Sequence, residues 1–87
     1  MSIAALEAEL LIQSVQFRED RLVVELSDGR SLGTPVAWYP RLDAATEAQR
    51  ARWRLIGRGV GIHWPDIDED LSLDGMLAGR SAPGGRR

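Results

Sequence analysis

The stretch Arg21-Leu22-Val23-Val24-Glu25-Leu26-Ser27-Asp28-Gly29-Arg30 decides the fold. Apolar residues alternate along its first half, so that Leu22, Val24 and Leu26 fall on one face of a β-strand. The pair Asp28-Gly29 then favours a hairpin turn of type I′, in which both central residues have positive φ. This stretch therefore predicts a strand, a tight turn and the start of a second, antiparallel strand.

The sequence on either side extends this hairpin into a meander. Residues 11–18 alternate in the same way, with Val15 and Phe17 on one face, and Glu19-Asp20 makes a short turn into the central strand. After the hairpin, a third strand spans roughly residues 30–34 and ends at Pro35, which has no N–H to donate. We expect three antiparallel strands that share one apolar face.

Helical signals occupy the middle of the chain. Thr46-Glu47-Ala48-Gln49 matches a capping box, in which the threonine and the glutamine satisfy the free N–H groups of a first helical turn. Residues 45, 49, 53 and 56 would then lie on the face that covers the meander, and Gly57 and Gly59 would end the helix. Another face of this predicted helix carries Arg50, Arg54 and Arg58.

The last third of the chain predicts one more strand and one more helix. Gly61–Trp64 is short, apolar and extended in character, and Pro65 ends it. Ser72 is suited to cap a final helix that Gly79 would end. This helix would pack inward through Leu73, Met76 and Leu77.

Together these segments predict an α+β domain. Its core would be a three- to four-stranded antiparallel sheet, a β-meander, packed against two or three helices. We expect a single domain over residues 11–79, preceded by an arm or short helix over 1–10 and followed by a disordered tail over 80–87.

The composition argues against several classes of function. The chain has 87 residues and no cysteine, so neither disulfides nor thiolate metal sites can stabilise it. No apolar run approaches the roughly 20 residues of a membrane span, and the N-terminus lacks the basic region of a signal peptide. A net charge of −2 offers no general attraction for phosphates. We therefore expect a cytoplasmic protein that binds neither membranes nor, directly, nucleic acid.

The residues with chemical potential concentrate in the stretch 61–72, Gly-Ile-His-Trp-Pro-Asp-Ile-Asp-Glu-Asp-Leu-Ser. Its aspartates recur at every second position, as in the calcium loop of an EF-hand. However, Leu71 and Leu77 stand where that loop requires a glycine and a bidentate carboxylate. We therefore predict no metal site and no cofactor.

The single histidine, His63, suggests catalysis, because it could form an acid–base pair with Asp66 or Asp68. No nucleophile is recognisably placed beside it, and the chain has no glycine-rich phosphate loop. We expect a structural or binding role for His63 and assign no catalytic residue. Trp38 and Trp64 belong either to the core or to a partly exposed aromatic patch that suits a protein partner.

Four motifs in order resemble the short prokaryotic family called domain of unknown function twenty-four forty-two. They are Asp28-Gly29-Arg30, Pro35-Val36-Ala37-Trp38-Tyr39-Pro40-Arg41-Leu42, Gln49-Arg50 with Trp53, and the stretch 61–72. The resemblance implies a compact α+β domain and supplies no catalytic residues. It also implies that some relatives carry this domain before a repressor-type helix-turn-helix domain. Others are encoded beside another small protein, as toxin–antitoxin pairs are.

From these observations we expect a non-enzymatic interaction or regulatory protein, antitoxin-like in role, that holds a small protein partner. A small-ligand sensor domain and an acid–base enzyme that uses His63 are the alternatives, and an open sheet edge leaves room for a homodimer. The candidate partner-binding residues are Trp38, Tyr39, Arg41, His63, Trp64, Asp66, Asp68, Glu69 and Asp70.

Overall fold

The computed structural model describes residues 9–81. Most of the arm predicted over 1–10 and of the tail predicted over 80–87 lies outside the described residues. In chain order the elements are β1 (Ile12–Arg18), β2 (Arg21–Leu26), β3 (Ser31–Pro35), a 3₁₀ turn (Val36–Trp38), α1 (Pro40–Asp43), α2 (Glu47–Ala51), β4 (Arg54–Ile56), β5 (Gly61–Trp64), β6 (Glu69–Ser72) and α3 (Leu73–Leu77).

The predicted meander is the first sheet, in which β1, β2 and β3 pair antiparallel in that order. Leu22, Val24 and Leu26 are all buried, as their alternation predicts. On the same face Val15 pairs with Val24 and Phe17 pairs with Leu22. One face of this sheet therefore supplies a large part of the core, namely Ile12, Val15, Leu22, Val24 and Leu26, while the other face is open.

The turn between β2 and β3 differs from the predicted type I′. Only Gly29 has positive φ in this turn, at +94°, whereas type I′ requires it at two residues. The Gly29 N–H donates to the Leu26 carbonyl at 3.0 Å, and the Leu26 N–H donates to the Arg30 carbonyl at 2.8 Å. The hairpin loop therefore has three residues, with a glycine in the bulge position, and the predicted turn type was wrong.

The helix predicted to run to residue 56 ends at Ala51. Its capping box is present, because the Thr46 hydroxyl accepts from the Gln49 N–H at 3.1 Å and the Gln49 side chain accepts from the Thr46 N–H at 2.9 Å. Residues 54–56 instead form β4, with Leu55 turned inward and Ile56 exposed. Trp53 and Ile56 are three residues apart, which suits one helical turn, but Trp53 and Leu55 also alternate around Arg54 as in a strand. Strand pairing decides between the two patterns.

A second three-stranded antiparallel sheet contains β4, β5 and β6 in that order. Leu55, Ile62 and Leu71 stand opposite one another and form its inner row. The strand predicted over Gly61–Trp64 is β5, while β6 was missed because its residues were interpreted as an acidic loop. The α+β class is confirmed, and the expected single sheet of up to four strands is corrected to two sheets.

The two sheets and the last helix meet at the turn between β4 and β5. The Ile12 N–H of β1 donates to the Gly59 carbonyl at 2.8 Å, and the Leu73 N–H donates to the Val60 carbonyl at 2.9 Å. Ser72 caps α3 by accepting from the Gly75 N–H, as predicted. Leu73 and Met76 are buried as expected, but Leu77, also predicted to pack inward, is 51% exposed.

The helices described over residues 9–81 are all short, and none is long and apolar enough to cross a membrane.

The junction at Gly59 generates a stability prediction. A Cβ atom there would lie 2.3 Å from the Ile12 carbonyl oxygen, and the residue has φ of +122°, which side chains disfavour. We expect Gly59→Ala to lower the free energy of unfolding in urea by about 2–5 kcal/mol. Gly29→Ala is the matched control, because Gly29 also has positive φ but open space around it, and it should cost only about 1–2 kcal/mol. Equal losses for the two variants would contradict the close approach of the sheets.

Candidate functional site

The β5–β6 hairpin positions most of the candidate residues. His63 pairs with Asp70, and Trp64 pairs with Glu69. Because side chains alternate across a strand, His63 and Asp70 lie on the outer face of the second sheet, while Trp64 and Glu69 point inward. The hairpin turn between them spans residues 65–68, and Asp68 at its end has φ of +53°.

Trp64 belongs to the core, which settles the two alternatives for this residue. It is 0% exposed, and its Nε1–H donates to the Arg50 carbonyl at 3.1 Å. Its ring meets the ring of Phe17 edge to face at 6.3 Å between centroids. Trp64 therefore joins β5 to both α2 and β1, and it offers no surface to a partner.

Arg50 is turned inward, which corrects the predicted arginine face. Its Nε–H donates to the Leu42 carbonyl at 2.9 Å, and its Nη2 donates to the Asp43 carbonyl at 3.2 Å. The guanidinium also lies over the Phe17 ring at 5.0 Å. Arg54 stands on β4 and Arg58 in the following turn, where it pairs with Glu9, so the three arginines do not share one helical face.

Tyr39 and Glu69 are buried polar residues that lie close together. The Tyr39 hydroxyl donates to the Thr34 hydroxyl at 3.1 Å. Glu69 is only 6% exposed, and the nearest cation among the described residues is Arg41, whose Nη1 lies 3.9 Å from the carboxylate. Arg41 itself is largely exposed and also donates to the Asp68 carbonyl, so it ties α1 to the hairpin turn.

Burial dominates the titration of this cluster. It raises the pKa of the Glu69 carboxyl above the ordinary value, against the opposing effect of Arg41. Burial also raises the pKa of the Tyr39 phenol, to which the negative charge of Glu69 adds, while the bond with Thr34 lowers it. Both side chains are therefore internal and offer little surface to a partner.

His63 and Asp70 form a pair on the outer face, through the His63 Nδ1 and the Asp70 carboxylate. The His63 side chain is 23% exposed and that of Asp70 is 66% exposed. A carboxylate that orients an imidazole is one half of a catalytic constellation, which also needs a nucleophile and a cleft. The hydroxyl on this face of β6, that of Ser72, caps α3 by accepting from the Gly75 N–H. His63 is absent from the lining of four cavities found among residues 9–81.

The other candidates remain at the surface. Trp38 is half-buried, meets Tyr39 edge to face at 6.4 Å and approaches Gly79 beyond α3. Asp66, Asp68 and Asp70 are exposed around the hairpin turn. Within residues 9–81, no group of three acidic or histidine side chains is placed to hold a metal ion.

The structure adds two residues that sequence reasoning missed. Arg52 pairs with Asp66 at 3.6 Å, and Thr34 accepts the Tyr39 hydroxyl. The sequence motif of Gln49, Arg50 and Trp53 could have indicated that Arg50 has a structural role. This segment lies against Trp64, whose indole donates to the Arg50 carbonyl. Nothing in the local sequence marks Thr34, since its partnership depends on how β3 meets the following turn.

The buried carboxylate generates a prediction about pH. Because the folded pKa of Glu69 is raised, the folded protein holds this proton more tightly than the unfolded chain does. Stability from this group is therefore present at and below the ordinary pKa of glutamate and is lost as the pH rises through the folded pKa. We expect Glu69→Gln to unfold at higher urea concentration than the parent at pH 7, with the gain vanishing near about pH 4.

The exposed glutamate Glu19 provides the control, since Glu19→Gln should leave this pH dependence unchanged. A loss of stability at pH 7 in Glu69→Gln would mean that the attraction of Arg41 outweighs burial.

Comparisons with known proteins agree with the fold. A crystal structure of a protein of unknown function from Rhodospirillum rubrum is 28% identical, with a TM-score of 0.76 over 90% of this chain and 96% of that chain. A solution NMR structure of the uncharacterized protein CV0863 from Chromobacterium violaceum is 27% identical, with a TM-score of 0.73 over 92% of this chain and 74% of that chain. No curated protein matches the sequence.

The model of one protein family, described as "Protein of unknown function (DUF2442)", matches residues 12–82. The match extends from the start of β1 to beyond α3 and therefore includes both sheets and every candidate residue. On this match, and as the motifs predicted, the chain belongs to the DUF2442 family of proteins of unknown function.

Proposed function

We propose that this chain is a non-enzymatic interaction module that holds a small basic protein on its acidic hairpin surface. This surface is defined by Trp38, Arg41, His63, Asp66, Asp68 and Asp70. The observation that carries the proposal is the position of the three aspartates, which are exposed around one turn. Trp64 and Glu69, on either side of this turn, are buried. An antitoxin-like role, in which the partner is a small toxin-like protein, is the biological form that the family resemblance implies.

A fixed turn supports the proposal because binding then costs little ordering of the chain. Trp64 and Glu69 anchor the two ends of the turn inside the protein, and Ile67 is half-buried between them. From outside, Arg41 donates to the Asp68 carbonyl. Preorganised surfaces avoid part of the entropy loss that accompanies association. The aspartates are therefore presented in a defined arrangement before a partner arrives.

The charge of the surface supports a basic partner. Residues 66–74 contain five carboxylates and no basic residue, and all of these carboxylates except that of Glu69 are exposed. Arg52 lies 3.6 Å from Asp66, but this arginine is highly exposed and such pairs contribute little energy. Complementary charges at an interface mainly speed the encounter and select the partner. Trp38, half-buried against Tyr39, would supply apolar contact area.

The arrangement around His63 supports a binding role over catalysis. His63 lies on an open sheet face, where its Nδ1 is bonded to Asp70, and the hydroxyl on the same face of β6, that of Ser72, accepts from the Gly75 N–H. An imidazole bonded across two strands stabilises their pairing. We accordingly assign His63 and Asp70 to the architecture of the surface.

The proposal predicts a partner that depends on the hairpin charges. Tagged protein expressed in its own host should retain one small basic protein in stoichiometric amount. In a binding assay with that purified partner, the double variant Asp66→Asn, Asp68→Asn should weaken affinity about two- to thirty-fold and slow association. Asparagine tolerates the positive φ of position 68, so folding should be preserved.

The matched control removes two exposed aspartates elsewhere, in Asp20→Asn, Asp43→Asn, and should leave affinity unchanged. Recovery of the protein alone, or equal effects of the two double variants, would contradict the proposal.

A further inference from the structure

The first sheet has a free edge along the second half of β1. The Leu26 N–H donates to the Arg30 carbonyl, so the even-numbered residues of β2 direct their backbone groups toward β3. The odd-numbered residues of β2 therefore bond to β1, where Val23 stands opposite Gln16 and Arg21 opposite Arg18. By the same alternation, the N–H and C=O groups of Val15 and Phe17 point away from the sheet.

The first half of this edge is already used. The Ile12 N–H donates to the Gly59 carbonyl, and a bulge interrupts the ladder between Ile12 and Ser14. Beyond the bulge, no backbone hydrogen bond from outside the strand ladders reaches Val15 or Phe17 within residues 9–81. Natural sheets protect such edges with bulges, prolines or charges, and this edge has its bulge only at one end. Residues 15–17 are thus left as an open template.

A groove of about 490 Å³ runs along this open edge. One side of the groove is the edge of β1. Side chains from both faces of the sheet line the groove there, because consecutive residues of a strand point to opposite faces. The other side is α2 with the half-buried Trp53. The groove is lined by Val15, Gln16, Phe17, Glu19, Glu47, Arg50, Ala51 and Trp53.

The charge of the groove is negative. Glu19 stands at the end of β1 and Glu47 at the start of α2, so that the two carboxylates come from opposite sides. Both are exposed, and neither forms a salt bridge within the part of the chain that the structure describes. The arginine of the groove, Arg50, is committed to the carbonyls of Leu42 and Asp43.

We infer that the edge of β1 at Val15–Phe17 accepts an extended basic segment of a protein partner as an added strand. The backbone of the segment bonds to Val15 and Phe17, its basic side chains meet Glu19 and Glu47, and Trp53 covers it from the far side. Strand addition of this kind obtains affinity from main-chain bonds and specificity from side-chain contacts. The inference rests on the proposed function in one respect, namely that the chain binds a protein.

A second copy of this chain is a poorer occupant than a basic segment. A second copy would bring to the interface the same Glu19 and Glu47 carboxylates, while the arginine of its groove is already bonded to carbonyls of its own chain. Two grooves of the same charge offer each other no electrostatic complementarity. A basic segment supplies the opposite charges instead.

The direct test is an NMR titration of the isotope-labelled full chain with an acetylated, amidated octapeptide of alternating valine and lysine. The amide protons of Val15 and Phe17 should shift and exchange more slowly with solvent. Those of Ser14, Gln16 and Arg18 should keep their protection, because they are already bonded to β2. A peptide of alternating valine and glutamate should bind at least about ten-fold more weakly.

Modified peptides separate strand addition from simple charge attraction and leave the protein unaltered. In an antiparallel addition only alternate residues of the segment turn their N–H groups toward β1. N-methylation of one alternate set, either all the valines or all the lysines, should therefore abolish binding, while N-methylation of the other set should be tolerated. Equal tolerance of both modifications would overturn the inference, as would shifts confined to the acidic hairpin surface.

Variants of the protein complete the test. Glu19→Gln and Glu47→Gln should each weaken peptide binding about two- to five-fold. Glu25→Gln removes a carboxylate on the open face of the same sheet, away from the groove, and should have no effect. Concentration-dependent dimers that protect Val15 and Phe17 without peptide would replace the partner segment by a second copy and contradict the inference.

The outcomes for the two proposals can be told apart. A peptide that does not bind, together with a native partner that depends on Asp66 and Asp68, would refute strand addition alone. A peptide that binds as described, with no partner recovered from the host, would leave the groove assigned and refute the function of the acidic hairpin surface.

Discussion

The indole of Trp64 is the contact on which the rest of the molecule depends. It is fully removed from water, and its polar group is satisfied by the Arg50 carbonyl. Its ring meets Phe17 of β1, so one side chain links the second sheet to α2 and to the first sheet. A chain of 87 residues has a small core, and a residue of this size accounts for a large part of it. The two sheets owe their relative position to this contact and to the close approach at Gly59.

Because buried contacts such as that of Trp64 stabilise the fold, the outward residues of the hairpin can be charged. In the β5–β6 hairpin, burial of alternate residues stabilises the strand pairing, and the residues between them are free to be acidic. Glu69 is the exception, since it is a carboxylate on the inner face of the sheet, and its raised pKa reflects the cost of burial there. Arg41 compensates part of this cost while it holds the turn from outside. Architecture and the proposed binding surface therefore share the same residues.

The sequence predicted secondary structure well where the apolar residues followed a single periodicity. It was ambiguous where they fitted both a helix and a strand. Leu22, Val24 and Leu26 stand at alternate positions, and Gly29 is suited to a turn, so the meander could be predicted, although the turn type could not. Residues 53–56 satisfy both a helical and a strand pattern, and only pairing with β5 selects the strand. Strand β6 was hidden because it contains two carboxylates in four residues. Helix α3 and both helix caps followed from local chemistry alone.

The candidate site was predictable in sequence position but less so in exposure. The stretch 61–72 does form the hairpin on which the candidates cluster, and the side-chain alternation of β5 and β6 separates its outward residues from its inward ones. Which tryptophan is core depends on long-range contacts that no local pattern encodes. The same holds for Arg50, whose inward turn requires the carbonyls at the end of α1.

The central claim, that Trp64 joins the parts of this protein, is tested most directly by the unfolding free energy of Trp64→Phe in urea. Phenylalanine leaves the Arg50 carbonyl without its donor and part of the indole volume empty, so we expect a loss of about 2–3 kcal/mol. The half-buried Trp53 gives the comparison, and Trp53→Phe should cost less than about 1 kcal/mol. A loss for Trp64→Phe no larger than that for Trp53→Phe would contradict the account.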